Sequence, residues 1–333
     1  MRILVTGGAG FIGSNFVHHM RRHHPECSLL VLDALTYAGN LANLQSLAHD
    51  PGFEFVHGDI LDEVVVEACM RRVDAVVHFA AESHVDRSLS GPQAFVKTNV
   101  EGSLVLLEAA RRHAIRRFVQ VSTDEVYGSL GPTGLFSEAS PLAANSPYSA
   151  SKASADLMAR AYHESFGLPV LITRCSNNYG PYQFPEKLIP LFITNALHDE
   201  GLPVYGDGLN VRDWLHVEDH CDAVKRVLFE GRAGDVYNIG GHNERTNIEI
   251  TEAILAALDK PRTLMRYVAD RPGHDRRYAI DAQKIRTELG WQPQYTFETG
   301  LAATITWYQH NRDWWLPLRT QAVEVQRAAA NRA

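Results

Sequence analysis

Cysteine is scarce in this chain: 333 residues hold four, Cys27, Cys69, Cys175 and Cys221, far apart and with no C-x-x-C pair. A disulfide framework and a cysteine-built zinc site are thereby set aside. No apolar run approaches the roughly 20 residues needed to span a bilayer. Positive charge is in deficit as well. With 32 Lys and Arg against 39 Asp and Glu, the formal net charge is −7, which argues against nucleic acid as a partner. There is no internal repeat, and the one biased stretch is an Ala- and Arg-containing tail after Val325, expected to fray. No secretory signal pattern opens the chain, so reduced thiols and a cytoplasmic location are expected.

What is present is a regular alternation. Residues 1–6 form a short apolar run that leads into Gly7-Gly8-Ala9-Gly10-Phe11-Ile12-Gly13. Gly8, Gly10 and Gly13 fit G-x-G-x-x-G, and residues 14–22 can continue as a helix. Glycine is demanded there because the backbone must turn sharply and approach a pyrophosphate at the helix amino terminus. A second apolar run, 29–32, ends in Asp33, at the spacing where a carboxylate meets the adenosine ribose and repels a 2′-phosphate. The pattern favours NAD over NADP. Further strands are predicted at 53–57, before Asp59, and at 75–79, before Ala80-Ala81-Glu82-Ser83. Asp59 is positioned to meet the adenine, and the small Ala80 and Ala81 permit close cofactor approach. A long helix is expected over 92–113. Four histidines, His18, His19, His23 and His24, flank Arg21 and Arg22; without a carboxylate or thiol nearby they read as a solvated helix face, not a metal site.

The densest chemistry lies between Ser122 and Lys152. The apolar run 118–121 reads as a buried strand, so Thr123, Asp124 and Glu125 sit at its carboxyl end, where open α/β sheets place their ligands. Tyr148 and Lys152 are four apart in a helical pattern and share one face. A tyrosine acting as base near neutrality needs its pKa lowered by about 3 units, or roughly 4 kcal/mol, and an ammonium one turn away is expected to supply part of that. Two carboxyls in one closed pocket resist ionising together, so one can serve as acid and the other as base. After a further strand at 170–173 the alternation weakens, and Pro, Gly and aromatic residues increase. Lys187, Arg212 and Arg271 are the cations suited to a pyrophosphate. The fold class expected is α/β: a doubly wound parallel, Rossmann-type sheet with a smaller C-terminal lobe. Residues 1–180 are assigned to NAD binding and catalysis, and 181–333 mainly to substrate binding. The run 297–311, ending at Trp314-Trp315, reads as a packing helix.

These residues resemble the extended short-chain dehydrogenase/reductases and, within them, the dTDP-glucose 4,6-dehydratase family. The resemblance rests on Ser122-Thr123-Asp124-Glu125-Val126-Tyr127-Gly128, on Leu35-Thr36-Tyr37-Ala38-Gly39-Asn40, and on the runs 81–88, 175–190 and 271–278. It implies that dTDP-glucose is oxidised at C4 by bound NAD+, loses water across C5 and C6, and receives the hydride back at C6. Tyr148 would take the C4 hydroxyl proton, Thr123 orient that oxygen, and Lys152 lower the Tyr148 pKa. Glu125 would remove the C5 proton, and Asp124 protonate the departing C6 hydroxyl. The resemblance extends the cofactor site, beyond Gly7, Gly10, Phe11, Ile12, Gly13, Asp33, Asp59, Ala80, Ala81, Tyr148 and Lys152, to Leu35, Thr36, Gly39, Ile60, Phe79, Thr98, Cys175 and Asn177. It assigns Ser83, Thr123, Asp124, Glu125, Asn177, Lys187, Leu188, Pro203, Tyr205, Arg212, Asn247, Arg271 and His274 to the substrate. It also implies a homodimer through the helices near 95–107 and 148–162. His216 stands where the family pattern leads one to expect Tyr, a packing change, and the loop 128–147 is short. The competing readings are a nucleotide-sugar 4-epimerase, a dehydratase of another nucleotide-glucose, and, more remotely, a non-catalytic NAD-binding regulator.

Overall fold

The structure, a computed structural model, describes residues 1–270 and 274–320. Its centre is a sheet whose strands read as nearly unbroken apolar runs, as strands covered on both faces must. In chain order they are β1 (Arg2–Thr6), β2 (Ser28–Asp33), β3 (Phe53–His57), β4 (Ala75–His78), β5 (Arg117–Thr123) and β6 (Val170–Cys175). All pair in parallel, in the spatial order β3-β2-β1-β4-β5-β6. The order reverses beside β1, which opens a crevice at the carboxyl edge between β1 and β4.

Helices α1 (Phe11–His23), α2 (Glu63–Met70), α3 (Val85–Ser90) and α4 (Pro92–Phe95) follow strands of the first half. The long helix expected over 92–113 is present but uneven: a π-turn occupies Val96–Gly102 between α4 and α5 (Ser103–Arg112). Helix α6 (Pro147–Phe166) is the best-defined of the set. Ser146 caps it in a capping box with Ser149, Pro147 opens it, and Gly167 closes it in the left-handed region at φ 70°.

Beyond residue 180 the chain builds small sheets and returns once to the large one. Strands β7 (Asn177–Tyr179), β8 (Leu202–Tyr205) and β9 (Val211–His216) precede β10 (Val236–Ile239), which pairs in parallel with β6 as the seventh central strand. β9 lies between β7 and β11 (Glu244–Thr246), and β8 pairs with β12 (Met265–Val268). Helix α7 (Leu188–Ala196) belongs to this lobe. Helix α8 (Val217–Glu230) instead packs on α1, placing Val224, Val227 and Leu228 in the same core as Val5 and Phe16. Further along come α9 (Asn247–Ala257), α10 (Gln283–Leu289) and α11 (Phe297–His310). α11 is the packing helix expected from the sequence: Leu301, Ile305 and Tyr308 join Phe192, Trp214 and Trp315 in the lobe's own core. Among the described residues no helix is long and apolar enough to cross a membrane.

Two local expectations change. The histidines at the end of α1 are only in part a solvated face: His23 is exposed and His24 half-buried. His19 is buried, with Nδ1 3.5 Å from Glu218 Oε2 of α8, and His18 bonds the Asn43 carbonyl at 2.7 Å and stacks on Tyr182. The helix that docks on α1 comes from some 200 residues further along and was invisible locally. His216 does occupy an aromatic cluster. Its ring lies 4.0 Å from that of Tyr295 and 5.5 Å from that of Tyr179, and burial lowers its pKa to about 4, so it packs there neutral. The tail after Val325 and Arg271 lie outside the described residues.

Candidate active site

The crevice at the switch point opens into a cavity of about 330 Å³ that runs from Asp33 to Tyr148. Gly7, Gly10, Phe11, Ile12 and Gly13 line its floor, with Thr36, Gly39, Asp59, Ile60, Phe79, Ala80, Ala81 and Thr98 around them. Glycine is required at two of these positions for a steric reason. A Cβ on Gly13 would lie 2.2 Å from the Gly7 carbonyl oxygen, and one on Gly7, at φ +70°, would lie 2.5 Å from the Ala80 nitrogen. The bare backbone leaves a cradle at the amino end of α1, suited to a pyrophosphate. Asp33 is fixed by backbone donors: its Oδ2 accepts from Ala9 N and its Oδ1 from Leu35 N, both at 2.8 Å. Burial raises its pKa and these two bonds oppose the rise. No arginine lines this cavity among the described residues, so nothing there would welcome a 2′-phosphate. The residues fit NAD. Leu35 is the one predicted cofactor residue absent from the lining: its side chain packs on the core and its N–H holds Asp33.

At the other end the carboxyl terminus of β5 delivers Thr123, and a 3₁₀ turn, Asp124–Tyr127, carries the two carboxyls. Tyr148 and Lys152 approach from α6, and Cys175 and Asn177 from the end of β6 and the start of β7. The Phe95 ring meets Tyr148 edge-on at 6.3 Å. Asp124 is 2% exposed. Its Oδ1 accepts a long bond from Thr123 Oγ1 at 3.4 Å, while its Oδ2 has no hydrogen-bond partner. Burial, then Glu125 and Asp213, raise its pKa well above 3.8 and favour the protonated acid. Asp213 of β9 was not foreseen as an influence. It is itself buried and held by the amides of Gly241 and Asn243 at 2.9 and 2.7 Å, and nothing in its local sequence marks it as a neighbour of Asp124.

For Lys152 and Tyr148 burial is the largest influence on protonation. Lys152 Nζ donates to the Val121 carbonyl at 2.8 Å, and burial lowers its pKa, opposed by Asp156. Burial pushes the Tyr148 phenol well above 10, with Glu125 and Cys175 adding to the rise and a hydrogen bond with Thr123 opposing it. In this cleft the carboxylate of Glu125 works on the phenol in the opposite direction to the expected ammonium. Cys175 is pushed up to about 12, chiefly by burial and then by Asp124, and stays a thiol.

A second cavity, about 910 Å³, adjoins the first at Ser83, Glu125, Asn177 and Lys187. Leu188, Pro203, Tyr205, Arg212, Asn247 and His274 line it, so the predicted substrate residues within the described parts converge on this space, except Thr123 and Asp124, which line the first cavity. Arg212 is buried, its guanidinium 4.3 Å over the Tyr278 ring and bonded to the Asp275 carbonyl at 2.9 Å. Two loops and helix α3 meet at the junction of the cavities, a contact sequence reasoning missed. Arg87 lies 3.5 Å over the Tyr37 ring, and Arg87 Nη2 and His84 Nε2 stand 3.7 and 3.8 Å from Glu186 Oε2. Asn99, inside the π-turn, clamps Glu82 through both its N–H and carbonyl and donates to Ser151 of α6. A polar residue in an otherwise helical apolar run was its only signal.

Comparison with known proteins agrees with this geometry. A family model described as GDP-mannose 4,6 dehydratase matches residues 4–304. A dTDP-glucose 4,6-dehydratase of Xanthomonas campestris pv. campestris is 57% identical, the match covering 93% of this chain and 94% of the relative. That of Escherichia coli is 49% identical, covering 95% of each. Among solved structures, a Streptomyces venezuelae dTDP-glucose 4,6-dehydratase with NAD and TYD bound superimposes with a TM-score of 0.94 at 56% identity, over 96% of this chain and all of that one. A Thermus thermophilus UDP-glucose 4-epimerase complexed with NAD shares the fold at TM-score 0.87, with 31% identity over 93% of this chain and all of that one. On the strength of near-full-length identity above one half, the chain belongs to the dTDP-glucose 4,6-dehydratase family of the extended short-chain dehydrogenase/reductases.

Proposed function

We infer that this chain is an NAD-dependent dTDP-glucose 4,6-dehydratase, forming dTDP-4-keto-6-deoxyglucose and water. The observation that carries the reading is the pair Asp124 and Glu125 inside the same cavity as Tyr148, with one Asp124 oxygen buried and unpartnered. A cofactor site alone would need neither carboxyl.

NAD held by the glycine cradle, Asp33, Asp59, Thr98 and Lys152 supplies a hydride acceptor for C4, a fixed positive charge, and the hydride that returns to C6. Tyr148 takes the proton of the C4 hydroxyl. Burial and the neighbouring Glu125 favour its phenol form, and a cation beside it favours the phenolate. Thr123 holds the same oxygen. Once C4 is a ketone, the C5 proton is acidic and Glu125 removes it. Asp124, kept protonated by burial and by Glu125, gives its proton to the departing C6 hydroxyl, which leaves as water. Glu125 then returns a proton to C5, the proton Tyr148 gained and the one Asp124 lost are evened out by exchange with solvent, and the net change is the loss of one water. Closure of the space around these groups protects the intermediate from solvent.

The second cavity takes the nucleotide: Lys187 and Arg212 meet the diphosphate, and Asn177, Leu188, Pro203, Tyr205, Asn247 and His274 the rest, with Ser83 on the sugar. Arg271 falls outside the described residues and keeps only its sequence-based assignment. On this division residues 1–180 hold cofactor and catalytic groups and 181–333 mainly the nucleotide sugar, although β10 and α8 of the second part complete the first part's sheet and core. We assign the chain to the cytoplasm, its four thiols buried and unpaired, and to a homodimer. The apolar side chains left exposed on α5, α6 and the π-turn, among them Val96, Leu104 and Leu157, support that pairing.

The test is to incubate the purified protein with dTDP-, UDP- and CDP-glucose without added cofactor. A 4-keto-6-deoxy product from dTDP-glucose is expected. A C4 epimer formed without loss of water would replace the reading with that of the 4-epimerases, and turnover of none of the three would remove it.

A further inference from the structure

Beneath the reacting groups runs a chain of buried polar side chains that the mechanism above does not use. Asp156 lies one helical turn beyond Lys152 on α6 and is 1% exposed. Its Oδ2 accepts from Arg174 Nε of β6 at 2.9 Å. Arg174 Nη1 donates to the Tyr127 hydroxyl at 3.0 Å, and that hydroxyl donates to Asn238 Oδ1 of β10 at 2.8 Å. Asn238 is anchored in turn by Glu138 and the Phe136 carbonyl, at 2.9 and 3.1 Å.

The placement of Tyr127 gives the chain its meaning. Tyr127 closes the same four-residue 3₁₀ turn that begins with Asp124 and Glu125. Asp156 stands on the helix that bears Tyr148 and Lys152. The turn is short, its one capping bond within the site is from Glu125 N to Thr123 Oγ1 at 3.2 Å, and it ends at Gly128 with φ 86°. Nothing in so brief a segment fixes by itself how far its carboxyls stand from a helix some 20 residues on. A guanidinium bridging an aspartate on one segment and a phenol on the other does fix it, because a planar fork tolerates little variation in direction. Burying these groups is costly, and the cost is real here because Asp156 Oδ1 has no hydrogen-bond partner; a buried polar chain of this kind can specify a geometry.

We propose that Asp156, Arg174 and Tyr127 are positioning residues that hold the elimination pair, Asp124 and Glu125, in register with the oxidation pair, Tyr148 and Lys152. The inference rests on the dehydratase reading and deepens it. The two half-reactions must act on adjacent carbons of one bound sugar, so a shift of the turn against α6 harms elimination while oxidation at C4 proceeds. A displacement on the order of 1 Å is enough to cost about a hundredfold in rate.

Tyr127→Phe removes the one hydroxyl and keeps the ring. We expect turnover to fall at least tenfold with substrate KM within about twofold of wild type. During turnover a larger share of the bound cofactor should stand reduced, read from its nicotinamide absorbance, because oxidation outruns elimination. Phe136→Leu is the packing control: Phe136 stacks on Tyr127 at 5.1 Å without donating a side-chain hydrogen bond to the chain. It should lower the melting temperature and leave the reduced share unchanged. If Tyr127→Phe turns over normally, or slows with no rise in reduced cofactor, the proposal falls and the tyrosine is structural. If instead the wild-type protein yields no keto-deoxy product, the dehydratase reading falls and this inference with it.

Discussion

The two ends of the cofactor cavity each hold a buried aspartate, and they are built in opposite ways. Asp33 has both oxygens occupied by backbone amides at 2.8 Å. Asp124 has one long bond and one oxygen with no partner. Burial penalises charge at both, but the two amides oppose that penalty at Asp33, whereas at Asp124 the neighbouring carboxyls add to it. A carboxylate solvated by fixed N–H groups serves recognition, since it is an acceptor in every state of the reaction. A carboxyl left unsolvated is held as a neutral acid, and gives its proton when negative charge develops beside it. Burial alone distinguishes nothing; the supply of donors does.

That contrast can be broken at several points. The largest effect is expected at the reacting end: Glu125→Gln should lower turnover by about 10²–10⁴, the usual worth of a general base, while the purified protein retains its NAD. Product formation and released cofactor measured on one sample separate the two. At the recognition end Gly13→Ala should do the reverse. Its new methyl would collide with the Gly7 carbonyl, so the protein should emerge with little or no NAD and take it up only weakly, as read by cofactor content after denaturation. Third, Asp33→Ala leaves two buried amides without their acceptor, at about 1.5–3 kcal/mol for a bond to a charged group, and should narrow the preference for NAD over NADP. Denaturant unfolding and a pair of cofactor titrations would test both parts.

The smallest expected effect concerns pH. Asp124 has a folded-state pKa above its ordinary 3.8, so in the unfolded chain it ionises first as pH rises. Its contribution to stability is fully present below 3.8 and is lost as pH climbs through the raised folded value. Asp124→Asn cannot ionise. Its melting temperature should match wild type in acid and exceed it increasingly toward and above neutrality, even though catalysis is impaired. Equal melting curves at every pH would mean that Asp124 is ionised at no cost, and the comparison with Asp33 would lose its basis.

Much of the cofactor end was legible in the sequence because it is local. Residues 7–13 and Asp33 act through backbone conformation and a fixed spacing along one β-α-β unit, and their signature survives without knowledge of any distant partner. The reacting end was legible as a set of residue types but not as an electrostatic system. Asp213, which acts on Asp124, lies some 90 residues away, and the rise of the Tyr148 phenol comes from burial and then Glu125, neither of which the spacing of Tyr148 and Lys152 reveals. The same limit hid the contact of His19 with α8 and the meeting of Tyr37, Arg87 and Glu186 from two loops and helix α3.

By itself, then, the order of residues determined the parallel sheet, its glycine turn, the capped helix bearing Tyr148 and Lys152, and the presence of an acid and a base after β5. Each of these follows from periodicity, capping or steric need within a few residues. The protonation preferences of those groups, and the register between the turn at Asp124 and helix α6, were decided only by tertiary structure. Desolvation and Coulomb interaction depend on what is close in space, and the chain brings together β5, α6, β6, β9 and β10 only when the whole sheet has formed.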